Sequence, residues 1–169
     1  MPGKPIAQQS KYTEIDSKTP AWEGVMGINI KALTTTGKVI IGWIPHEKTE
    51  KDKKYFCHGY SLKTWKQYGY TIFSDVHVQT VLREEYVEVM RNEIQKDDVV
   101  SFHTCDHIIT HSCRIKIAKG EYLQSMVRTK NGIYPLKDCT LQQVWGEYPL
   151  AVTLKFWRSV DKFEINFDD

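Results

Sequence analysis

A thiol and an imidazole stand in this chain where a nucleophile and its base could meet. The stretch "YFCHGYSLKTW", Tyr55 to Trp65, sets Cys57 just ahead of apolar residues at helical spacing, Tyr60, Leu62, Trp65 and Tyr68, with Gly69 as a stop. A thiol attacks as its thiolate, and the free N–H groups of a helix start stabilise that charge. Further along, "THSCRI" puts His111 on an expected strand after "DDVVSF". An imidazole facing the helix start would complete a Cys–His dyad and hold the thiol below the free-cysteine value of about 8.5. A third polar group should then accept from the other ring nitrogen. Strand alternation over 121–128 groups Gln124 with Tyr122 and Met126, which makes its amide the first choice, ahead of Thr129 and Asn131.

Taken alone, a cysteine is more often buried and inert than catalytic, so the weight lies in the combination. His58 cannot face its helical neighbour Cys57 and is expected at the cleft rim, grouped with Trp65 as a substrate contact. The rival signal is "HTCDHIITHSC", in which His103, Cys105, His107, His111 and Cys113 offer zinc-ligand types. No CxxC or HxxxH knuckle with a second half accompanies them, so neither metal nor cofactor is expected. A non-enzymatic zinc-binding module around 103–113 is the alternative.

The elements that must position these residues follow from periodicity. "KVIIGWIP" reads as a buried strand and 46–54 as a charged loop. "SDVHVQTVLREEYVEVMRNEIQ" keeps a helical period behind Ser74 or Asp75, as one helix or two short ones. Past Lys96, "DDVVSF", "HIITHSCRIKIA" and "EYLQSMVRT" predict an antiparallel meander with a tight turn at "AKGE". "DCTLQQVWGEY" predicts a short helix and "LAVTLKFWRSV" a closing strand. The fold class is therefore α+β, helices packed on a mostly antiparallel sheet. Residues 1–20 are expected as a surface arm of a single domain, 1–169, whose catalytic core spans 55–129.

Composition narrows the partners. Lys+Arg of 23 against Asp+Glu of 21 leaves a formal charge of only +2, with basic and acidic residues interleaved, which argues against nucleic acid. No apolar run reaches the ~18 residues of a spanning helix. "MPGKPIAQQSKYTEID" lacks the apolar centre of a signal peptide. The expectation is a protein made in the cytoplasm and, if exported, exported without a cleaved leader.

In order and spacing, "FCHGYSL", "DDVVSF" and "ITHSCRI" resemble the NlpC-like branch of the papain-like cysteine peptidases. The chain departs from that family's pattern at Phe56, His58 and Asp97. The resemblance implies a papain-like core with Cys57 as nucleophile, His111 as base and Gln124 as third member. It also implies amide cleavage in the peptides of bacterial peptidoglycan. Acyl transfer or deamidation on the same machinery is the alternative within the enzyme class. By size and fold, the chain further resembles interbacterial toxins neutralised by a cognate immunity protein.

Overall fold

A computed structural model describes residues 13–14, 19–22 and 25–160. The β-branched run Val39–Pro45 forms strand β4, and it pairs in antiparallel register with β3, Val25–Leu33, so that Ile30 faces Gly42 and Leu33 faces Val39. The hairpin turns through Gly37, whose φ of +86° is open to a residue without Cβ, closed by Thr34 N–H to Lys38 O at 2.8 Å. Short strands β1 (Thr13–Glu14) and β2 (Thr19–Trp22) complete this 4-stranded sheet on β3. Part of the expected surface arm is thus strand, and the remainder of 1–20 lies outside the described residues.

Three helices follow: α1 (Cys57–Ser61), α2 (Thr64–Tyr68) and α3 (Asp75–Glu85). The single helix expected over 59–68 is broken at Lys63, which adopts a left-handed φ of 66°. Gly69 ends α2 in the left-handed region, as its position predicts. The helical period read through residue 94 ends at Glu85, and Tyr86–Val89 is strand β5. "YVEV" satisfies a strand alternation as well as a helical one, and pairing with the last strand decides between them.

The second sheet has 6 strands in the order β5-β10-β6-β7-β8-β9, every neighbouring pair antiparallel. Its members are β6 (Val99–His103), β7 (Ile109–Ile117), β8 (Met126–Thr129), β9 (Lys137–Thr140) and β10 (Thr153–Ser159). Helix α4, Leu141–Glu147, starts at a capping box in which Thr140 and Gln143 satisfy each other's backbone N–H. The α+β expectation and the meander hold. The turn between β7 and β8 does not, because residues 122–124 coil into a 3-10 helix instead of extending the strand.

Alternation along β6 and β7 gives the sheet an apolar core on each face. Val99 and Ile109 join Leu62, Ile72, Val78, Leu82 and the first sheet's Ile30 and Ile40 on one side. Val100, Phe102, Cys113, Ile115, Val127 and Phe156 pack under Leu141 and Val144 of α4 on the other. Each fully buried aliphatic side chain there is worth about 1.5–3 kcal/mol. No described helix is long and apolar enough to cross a membrane.

Candidate active site

Helix α1 is pinned to β7 by side chains from its sheet-facing side. Ser61 Oγ donates to Cys57 O at 2.8 Å, so its remaining capacity is to accept, and Ser112 Oγ–H fills it. Ser112 in turn accepts from His58 Nδ1–H at 2.7 Å. The far end of α1 is held by Arg114, fully buried, which donates to Ser61 O at 2.6 Å and pairs with Asp97 Oδ1 at 2.5 Å. Gly59 lets the helix lie this close: a Cβ there would stand 2.2 Å from Thr71 Oγ1. Thr71 cannot simply rotate away, since its hydroxyl accepts the N–H of Phe56, the residue that caps α1.

Backbone direction places the thiol. Ile115 exchanges hydrogen bonds with Asp97 and Asp98 on the β6 side, so the next even-numbered residues of β7, Arg114 and Ser112, turn their N–H and C=O toward β8. The β7–β8 register runs only from Arg114↔Arg128 to Ile117↔Met126. Beyond it the strands part, and the Ser112 N–H reaches the sulfur of Cys57, as do the N–H groups of Cys57 itself and His58. The sulfur therefore lies against β7 at Ser112, just past the last β7–β8 pair. Burial pushes its pKa up to about 11, and the three N–H groups and the charge of Lys130 only partly offset that. The lowered thiol pKa anticipated from helix and imidazole is corrected: desolvation outweighs the N–H groups and Lys130, and His111 is not among the groups acting on the sulfur.

His111 does not point at α1. The positions of β7 that meet α1 are Ser112 and Arg114, and His111 projects to the other face beside Phe102. Its ring stacks on Tyr148 with centroids 4.0 Å apart and planes at 12°. An ionised Cys57 raises the pKa of the Tyr148 hydroxyl, which puts the sulfur and the stacked ring within electrostatic range of each other. Burial, reinforced by His58 and Lys137, holds the imidazole well below its usual pKa, and at neutral pH thiol and ring are both uncharged.

Hydrogen-bond direction fixes the ring's tautomer. The Glu147 carboxylate can only accept, so the Asn131 group beside it is the NH₂, and Asn131 Oδ1 faces inward. That oxygen accepts from Thr129 Oγ1–H at 2.8 Å and from the Tyr148 hydroxyl at 3.3 Å. With its proton committed, Thr129 Oγ1 accepts from His111 Nε2–H at 2.7 Å. Nδ1 is then the basic nitrogen, and no hydrogen bond engages it among the described residues.

The third-residue expectation is corrected accordingly. Gln124 sits in the 3-10 turn and donates to Gln142 Oε1 at 2.9 Å, while Thr129 holds the ring. His58 is buried, not at a rim, and burial takes its pKa down to about 4. Trp65 stacks on Tyr55, centroids 5.5 Å apart, and Tyr55 lies under the Lys130 ammonium at 5.1 Å. The zinc-type residues do not converge: His103 bonds Ser101, Cys105 is exposed, His107 sits in a turn, and His111 and Cys113 face α4. Sequence reading did not single out Lys130, Glu147 or Tyr148, none of which lies in a motif, nor Ser112, which sits inside "THSCRI" but was given no role. No family model, curated protein or solved structure matches this chain.

Proposed function

We propose that the protein is a cysteine hydrolase of the papain-like, NlpC type, acting on amide bonds through Cys57 and His111. The observation that carries this reading is the bond chain from Glu147 through Asn131 and Thr129 to His111, which leaves Nδ1 unprotonated one residue along β7 from the Ser112 N–H that meets the sulfur.

In this mechanism the Cys57 thiol is neutral at rest and loses its proton to His111 Nδ1 as the sulfur attacks the carbonyl carbon. The imidazolium then gives that proton to the leaving nitrogen, and water hydrolyses the thioester with His111 again as base. Thr129 keeps the ring oriented in both steps, and the N–H groups around the sulfur stabilise developing negative charge. A neutral pair suits a buried site, since an ion pair there would cost more than it returns.

The substrate class comes from the motif resemblance: stem peptides of bacterial peptidoglycan. An exported toxin held in check by a cognate inhibitor is the biological setting that this substrate suggests. Incubating the protein with purified sacculi and synthetic stem-peptide amides, with products read by mass spectrometry, tests the activity. Release of a free carboxylate and a new amine, absent in Cys57→Ala and His111→Ala, is expected. Products joined to an added amine instead of water would make the enzyme a transferase, and no product from any amide would remove the reading.

A further inference from the structure

Lys130 carries an ammonium in the interior, fully shielded from solvent. It donates to Asp52 O and to Gly132 O, the latter at 2.6 Å, and stands 5.1 Å above the Tyr55 ring and 5.7 Å above that of Phe56. Phe56 is the residue before the nucleophile. Lys130 follows directly on the last residue of β8, and its ammonium, held over Phe56 and tied to Asp52 O, stands on the approach to the start of α1, where its charge acts on the Cys57 sulfur. An interior lysine needs a reason, and two backbone carbonyls alone could be met by a neutral donor.

We infer that Lys130 is the charge partner of Cys57, supplying the positive charge that meets the sulfur as its proton passes to His111. This rests on the reading of Cys57 as the nucleophile. The division of labour differs from a thiolate–imidazolium pair: His111 carries the proton and Lys130 carries the charge. Asp52 and Cys57 are the charged or titratable groups acting on Lys130, and both favour its protonated form. Burial nevertheless brings its pKa down to about 8. The ammonium is therefore present at neutral pH and is lost as pH rises through that value.

The test is the rate of iodoacetamide modification of Cys57 between pH 6 and 10, read by peptide mapping in the wild type, Lys130→Arg and Lys130→Met. In the wild type the rise of rate with pH should flatten near pH 8, as the ammonium disappears. Lys130→Arg, which stays charged, should lose that bend. Lys130→Met should react roughly tenfold more slowly at pH 7, the scale of one nearby opposite charge. Equal rates and slopes in all three proteins would make Lys130 a clamp between two loops and overturn the inference. If Lys130→Met does not fold, the Lys130→Arg profile decides alone, a retained bend counting against. Because alkylation requires no turnover, a Lys130-dependent profile in a protein that cleaves no amide would sustain this pairing while removing the hydrolase.

Discussion

At the scale of single residues, the side chain that most repays substitution is Thr129. Its hydroxyl stands between His111 Nε2 and Asn131 Oδ1, accepting from one and donating to the other. Thr129→Val keeps the shape and removes both bonds. We expect kcat to fall about tenfold to hundredfold with KM little changed, and Thr129→Ser to restore most of it. The pH dependence follows from burial. His58 and His111 both titrate below an unfolded histidine, so between pH 6.5 and about 4 the unfolded chain binds more protons than the native one. The share of stability that depends on these neutral rings is therefore complete above pH 6.5 and declines as pH falls, by roughly 3 kcal/mol at most from His58 alone. Urea titrations at pH 7 and pH 4.5 check this, and His58→Gln should reduce the difference while His111 keeps its part. The placement of Cys57 at a helix start and of His111 on a strand was legible in the sequence because both motifs are local, but the face to which His111 points was not. The group orienting the ring was not, because the alternation that favoured Gln124 presumes a strand where residues 122–124 coil. Lys130, Glu147 and Tyr148 reach the site only through the packing of a distant loop and helix, which no spacing encodes.

At the scale of elements, helix α1 is too short to be stable alone and depends on its seat against β7 and Thr71. Gly59→Ala tests that dependence. The added methyl meets a hydroxyl that already serves the helix cap, so the helix must lift. A loss of about 1–3 kcal/mol in chemical denaturation is expected. Activity should fall further than stability accounts for, since lifting α1 withdraws the sulfur from β7. Retained activity at full stability would place the nucleophile elsewhere. The sequence identified β4, β6, β7, α4 and β10 through strong period or capping, and lost β3 and β5. "VMGINIKAL" has Gly27 and Lys31 within its alternation, which weakens a strand pattern. "YVEV" fits two periods at once, and the partner that selects the strand, β10, lies far along the chain.

At the scale of the whole molecule, a sheet buried on both faces offers few places where water and substrate can enter. Between β7 and β8 the pairing stops at Arg114 and Arg128, while Thr129, Lys130 and Asn131 turn to other partners. Helix α1 packs on one face and the His111–Tyr148 stack on the other, so Cys57 and His111 come from opposite layers. We propose that the two act as one unit across the sheet. Reaction with an activated amino-acid ester, quenched and mapped by mass spectrometry, tests this most directly. One acyl group per chain is expected on Cys57, formed in the wild type, strongly slowed in His111→Ala and absent in Cys57→Ala. An acyl group found instead on exposed Cys105 or on surface lysines, at a rate indifferent to both substitutions, would contradict it.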